Sequence, residues 1–207
     1  VMLDMDGTLL DKHFDDYFWE VYLPEHYSLL HNISIVEAGR RLMAQYSKVE
    51  NSLQWADLEY WSRELKLDLP ELKSRIDYLI VVHPYVIDFL KFCRSLNKKL
   101  YLVTNAHPRT LAIKLGKISI SCWFDKLICA QEVGFAKEEL LFWTGLQKML
   151  DFNPARSLFA DDIEKVLCTA DAYGIGRLLH IARSSSRKIP KYSKKYPSID
   201  YFNELMV

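Results

Sequence analysis

An α/β protein is expected here, with a parallel sheet covered by helices on both faces and a helical bundle inserted near its start. Three features of the 207-residue chain lead to it. Short apolar runs that stop at polar residues occur at the first residues and again after residue 84. Between them lie stretches of helical length and helical period, and such alternation builds parallel sheets with crossover helices. Residues 13–83 break the rhythm, with no strand-like run and many aromatic side chains. The expected division is therefore a core from residues 1–12 and 84–207, with residues 13–83 as the insert.

The first run, Val1-Met2-Leu3, ends at Asp4-Met5-Asp6-Gly7-Thr8. In the insert, Ser34-Ile35-Val36-Glu37 forms a capping box: Ser34 is the N-cap, Glu37 reaches back, and the helix runs towards Val49. Val36, Leu42 and Met43 are among its expected buried positions. Leu58, Trp61 and Leu65 give a second stripe, and Pro70 with Glu71 opens a third helix. Pro84 to Leu96 is helical, with Val86, Phe89, Leu90 and Cys93 facing inward. Leu100 to Val103 is a buried strand ending at Thr104-Asn105, and Pro108 sits in the first turn of the next helix. Lys126 to Cys129 is the third strand, Glu138 to Leu150 a helix, and Ser157 to Ala160 a strand ending at Asp161-Asp162. A helix from Ile163 closes at Gly174, a left-handed C-terminal position, and Gly176 to His180 is the last strand. The core is thus Rossmann-like, and ligands bind beyond the carboxyl ends of such strands. Asp4, Thr104 and the pair Asp161-Asp162 all fall there.

Half the residues are hydrophobic and 13% aromatic, a folded-domain profile. Lys+Arg and Asp+Glu both total 27, so net charge points to neither nucleic acid nor a membrane surface as partner. Cys93, Cys122, Cys129 and Cys168 form no C-x-x-C pair and are expected to be reduced core thiols of a cytoplasmic protein. No signal peptide or membrane-length apolar stretch is present, and Val1 already has strand character, so a short native segment is expected to precede it. The six histidines lack zinc-ligand spacing. Arg183 to Lys195 carries six basic residues and no acid, which predicts a solvated, partly mobile tail.

Two carboxylates one residue apart at a strand end can divide labour. Asp4 projects from the strand, while Gly7 lets the chain break so that Asp6 sits on the turn beside it. One acid can act as nucleophile while the other carries protons. A calcium loop would continue with further oxygen ligands, but Leu9 and Leu10 follow.

Taken together, Asp4-Met5-Asp6-Gly7-Thr8, Thr104, Lys137 and Asp161-Asp162 resemble the four-part pattern of the haloacid-dehalogenase-like phosphohydrolases. The resemblance implies a phosphomonoester hydrolase. Asp4 would attack phosphorus to give an aspartyl-phosphate, and Asp6 would protonate the leaving oxygen and then deprotonate water. Thr104 would hold phosphoryl oxygens and Lys137 would offset charge. Mg²⁺ would be ligated by the Asp4 carboxylate, the Asp6 backbone carbonyl and one of the acid pair, with Asp162 favoured as direct ligand and Asp161 behind it. An acid at position 6 favours phosphoryl transfer over dehalogenation, because a halide leaves unprotonated. Ala136 stands where proline is common in the family.

The insert's position between the first two motifs implies a lid over the leaving group. Phe14 to Trp19, Leu53-Gln54-Trp55, Leu58 to Ser62 and Thr104 to Pro108 further resemble the bacterial purine mononucleotidases acting on GMP and IMP. The partner implied is a small phosphomonoester, a purine mononucleotide. Tyr17, Trp19 and Trp55 are candidates for contact with the base, and Asp15, Asp16, Asn105 or His107 for hydrogen bonds to it. A sugar phosphate or another small phosphomonoester is the alternative substrate, and oligomeric state stays open. A non-enzymatic association domain has no need for buried acids that repel one another.

Overall fold

The computed structural model describes residues 1–50 and 52–206, and its first strand is only two residues long, Met2–Leu3 (β1). His13–Tyr17 (α1) runs through a π-helical turn, Phe18–Tyr22, into Leu23–His31 (α2). Ile35–Val49 (α3), Leu53–Ala56 (α4), Leu58–Leu65 (α5) and Leu69–Arg75 (α6) follow. Next come Val86–Ser95 (α7), Tyr101–Thr104 (β2), Pro108–Lys117 (α8), Lys126–Cys129 (β3), Ala130–Val133 (α9) and Leu140–Leu150 (α10). Leu158–Asp161 (β4), Glu164–Tyr173 (α11), Arg177–Ile181 (β5) and Ser198–Ile199 (β6) complete the chain.

All strand pairs are parallel, in the order β3-β2-β1-β4-β5-β6. In this doubly wound order the winding direction reverses beside β1, and the crevice at the reversal is the ligand site of such sheets. Asp4 leaves β1 and Asp161 closes the neighbouring β4 at that crevice. Alternating side chains fill the two faces. Met2, Tyr101, Val103 and Phe159 pack with Phe142 and Trp143, while Leu3, Leu102 and Ala160 belong to the cluster that also holds Phe14, Phe18 and Trp61.

Side-chain caps start α3, α5 and α6. Ser34 Oγ accepts from the Glu37 N–H at 3.2 Å, Asp57 accepts from Glu59 and Tyr60, and Asp68 accepts from Glu71. Each cap of this kind stabilises a helix by about 1 kcal/mol. Only half of the expected capping box forms at Ser34, because the Glu37 carboxylate turns outward to Arg40 and Arg41. The buried stripe of α3 is Ala38, Leu42 and Tyr46, whereas Val36 and Met43 are exposed. Tyr46 fixes that choice by lying edge-on against Trp19, Trp55 and Trp61.

The basic stretch is largely exposed, as expected, and the chain after it returns to add β6 beside β5, while three of its six cations find acids spread along the sequence. Arg183 pairs with Asp200, Lys195 with Asp171, and Lys188 with Glu20. Lys188 also stands 2.9 Å from Asp16 Oδ2, an ion pair without hydrogen-bond geometry. The cysteines divide as well: Cys93 and Cys129 are buried, Cys168 is half-buried and Cys122 is exposed. Among the described residues no helix is long and apolar enough to cross a membrane.

Candidate active site

Asp4 continues β1 by one hydrogen bond, its N–H donating to the Ala160 carbonyl at 3.0 Å, and its side chain is buried. The chain then turns back on itself. Gly7 takes φ +85°, its N–H donates to the Leu10 carbonyl, and the N–H groups of Leu9 and Leu10 donate to Met5. A Cβ on Gly7 would stand 2.5 Å from Asp162 Oδ2, so only glycine suits both the dihedral and the space.

Lys137, on the loop between α9 and α10, joins two of the strand ends. Its Nζ donates to Asp4 Oδ1 at 2.5 Å and to Asp161 Oδ2 at 2.7 Å, with the side chain almost wholly buried. The loop is clamped at both sides of this lysine. The Lys137 N–H donates to Asn105 Oδ1 at 3.0 Å, Asn105 Nδ2 donates to Glu138 at 2.9 Å, and Trp143 Nε1 donates to the Lys137 carbonyl. Asn105 therefore spends both ends of its amide on the protein while still lining the cavity. Burial alone would lower the Lys137 pKa, but Asp161 and Asp4 outweigh it and hold the ammonium charged. Burial pushes the Asp4 carboxyl up against the pull of Lys137, and it pushes Asp161 up to about 8 despite the same lysine.

The neighbouring acid is differently placed. Asp162 Oδ2 accepts from Lys12 Nζ at 2.7 Å, and its Oδ1 is buried with no partner among the described residues. Asp161 has its Oδ1 taken by the Ile163 N–H at 2.8 Å and its Oδ2 by Lys137. Asp4, Asp161 and Asp162 each offer an oxygen within 4.8 Å of one another. An all-oxygen set, electrostatically strained and with one orphaned buried oxygen, fits a hard divalent cation. Asp162, with the orphaned atom, suits direct ligation better than Asp161.

Asp6 belongs to a second chain of charges. Lys114 Nζ donates to Asp6 Oδ1 and to Asp15 Oδ2, each at 2.5 Å, and Lys73 Nζ donates to Asp15 Oδ1 at 2.7 Å. Burial pushes the Asp6 pKa up to about 6, with Lys114 opposing and Asp15 and Asp4 adding to the rise. The Asp6 side chain is 22% exposed, so water reaching it softens that effect. Lys12, Lys73 and Lys114 were not foreseen as site residues. The one available signal was Lys114 falling on the buried stripe of α8 with Thr110 and Leu111.

Thr104 ends β2 fully buried, its Oγ1 accepting from the Ala106 N–H at 3.0 Å, so its hydroxyl proton is free to donate. A cavity of about 560 Å³ is lined by Asp4, Asp6, Thr104 and Lys137 near the strand ends and by Trp19 and Trp55 from residues 13–83. Tyr17 and His107 do not line it. Tyr17 stacks on Tyr22, while His107 caps α8 through the Arg109 N–H and faces Asp57 at 3.5 Å. Asp15 and Asp16 border the cavity, but Asp15 is committed to two lysines.

The profile of a hydrolase family, the haloacid dehalogenase-like hydrolases, matches residues 1–165. The chain is 33% identical over 206 residues to the GMP/IMP nucleotidase YrfG of Escherichia coli (strain K12), covering 100% of this chain and 93% of the relative. It is 23% identical over 195 residues to the phosphorylated carbohydrates phosphatase of Thermotoga maritima, covering 89% of this chain and 85% of that one. The fold superposes on the crystal structure of a HAD phosphatase from Thermococcus onnurineus with a TM-score of 0.81 at 23% identity, covering 99% of this chain and 94% of that one.

Proposed function

The chain belongs to the haloacid dehalogenase-like hydrolase family, and from that membership we propose a Mg²⁺-dependent 5′-nucleotidase that cleaves purine mononucleotides through a phosphorylated Asp4. The general activity, hydrolysis of phosphate monoesters, follows from the family and the full-length nucleotidase relative. One observation carries the finer reading. Asp4, Asp6, Thr104 and Lys137 line the same cavity as the aromatic side chains Trp19, Tyr46 and Trp55.

In this reading an Asp4 oxygen attacks phosphorus as the bond from phosphorus to the ester oxygen breaks. Asp6 gives its proton to that departing oxygen. Asp6 then takes a proton from water, which attacks phosphorus and breaks the bond to Asp4. A group poised at about 6 holds both protonation states in useful amounts near neutrality, which suits an acid that must become a base. Lys137, already on Asp4, compensates charge arriving with the phosphoryl group, and Thr104 donates to one of its oxygens. Asp4 and Asp162, with Asp161 behind them and the Asp6 carbonyl alongside, would hold Mg²⁺, which supplies charge neutralisation for the transferring group. The insert acts as a lid that excludes water and selects the leaving group.

Assay of phosphomonoesters with Mg²⁺ tests the substrate. Higher kcat/KM on GMP and IMP than on sugar phosphates is expected. A preference for sugar phosphates would instead favour the second reading, which the Thermotoga maritima relative supports.

A further inference from the structure

We propose that Tyr46 and Glu50 read the six-membered-ring edge of a 6-oxopurine, Tyr46 donating to the C6 carbonyl oxygen and Glu50 accepting from the ring N1–H. The inference rests on the nucleotidase reading and names the residues that would give it base specificity.

Tyr46 is 6% exposed, yet its hydroxyl is buried with no hydrogen-bond partner among the described residues, and it lines the cavity. Buried tyrosine hydroxyls ordinarily find a partner, because leaving one unpaired forfeits the hydration it gave up. This one cannot swing elsewhere for a partner. Its ring is boxed by Trp19, Trp55 and Trp61 at centroid distances of 5.6, 5.4 and 5.2 Å, each nearly perpendicular. A fixed, unspent donor on a residue that lines a cavity is what a ligand acceptor would satisfy.

Glu50 follows one helical turn after Tyr46, at the C-terminal end of α3, and lines the same cavity. Its carboxylate has no ion pair or hydrogen bond among the described residues. The other polar group of this wall, the Ser47 hydroxyl, donates to the Ala44 carbonyl of its own helix. Leu42, Met43, Ala56 and Leu58 supply apolar surface around them. Trp19 and Trp55 stack on each other at 6.2 Å and 22°, so a base lies against the pair rather than between its members.

The donor and acceptor chemistry then selects the base. A 6-oxopurine presents a carbonyl acceptor beside an N1–H donor; a 6-aminopurine presents an amine donor beside a bare N1 acceptor. An ionised carboxylate can only accept, so Glu50 matches the first edge and opposes the N1 lone pair of the second. The phenol can donate or accept and serves as the fixed contact. Sites built around such groups reject the analogue that leaves them unpaired.

The test compares kcat/KM for GMP, IMP, AMP and ribose 5-phosphate in the wild type, Tyr46→Phe and Glu50→Gln. The wild type should favour GMP and IMP over AMP by more than about tenfold, the scale of one mispaired hydrogen bond. Tyr46→Phe should lower the ratio of GMP to ribose 5-phosphate about tenfold. Glu50→Gln, whose amide can also donate, should narrow the GMP-to-AMP ratio by a similar factor. Should Tyr46→Phe fail to fold, Glu50→Gln still decides, because Glu50 is exposed at a helix end. A wild type that prefers purine nucleotides while neither ratio moves would overturn this inference alone. A wild type that does not prefer GMP to ribose 5-phosphate would overturn the nucleotidase reading along with it.

Discussion

Asp162 Oδ2 occupies the place beside Gly7 where any other residue would carry its side chain, 2.5 Å from the missing Cβ. The turn after Asp6 and the acid after β4 are thereby fitted to each other, although some 150 residues separate them in the chain. The two halves of the acid cluster depend on that close approach.

Gly7→Ala should accordingly harm both stability and activity. The positive φ costs a non-glycine residue roughly 1–3 kcal/mol, and the Cβ would push Asp162 off the cluster. Urea unfolding should show a loss of that order. Steady-state assay of the folded fraction should show a large fall in kcat at any Mg²⁺ concentration. An unchanged kcat would mean that Asp162 can move without consequence.

Lys137→Ala removes the cation shared by Asp4 and Asp161. Breaking a buried pair from one side costs about 3–5 kcal/mol when the charges left behind have no other partner. Both acids can take up protons instead, so the loss should be smaller at pH 5 than at pH 8. Chemical denaturation at the two pH values measures it, and phosphatase activity should drop sharply at both.

Added Mg²⁺ should stabilise the protein more at pH 8.5 than at pH 6. Burial raises the folded-state pKa of Asp161 to about 8, above its unfolded value of 3.8. Between those values the folded state holds a proton that the unfolded state has released, so this acid destabilises the fold progressively as pH rises. A cation bound by the cluster competes with that proton and relieves the repulsion of the ionised form. Melting curves with and without Mg²⁺ across pH should diverge upward. Parallel curves would remove the cluster as the metal site.

Much of this site was legible because apolar runs stop at acids. Each run marks a strand, its end marks the crevice, and Asp4, Thr104 and Asp161 stand at three such ends. Alternation with helices makes the sheet parallel, whereas the strand order is read only from the structure. The lysines were hidden for the opposite reason. Lys12, Lys73 and Lys114 resemble ordinary solvated cations in sequence, and only folding brings Asp162, Asp15 and Asp6 to them. The tail was hidden by its size: two residues of β6 carry no periodicity, and the acids that hold its cations lie far away in sequence. Along α3, hydrophobic period alone could not separate Val36 and Met43 from Ala38 and Tyr46, because the choice is made by tryptophans on other elements.

Covalent transfer to Asp4 is open to direct measurement. Protein mixed with GMP and Mg²⁺ would be quenched in acid within a single turnover and its peptides mass-analysed. A phosphoryl group on the peptide carrying Asp4, absent in Asp4→Asn along with turnover, is the expected outcome. Turnover at a near-normal rate in Asp4→Asn, or a wild type that releases phosphate without ever labelling that peptide, would refute the covalent route.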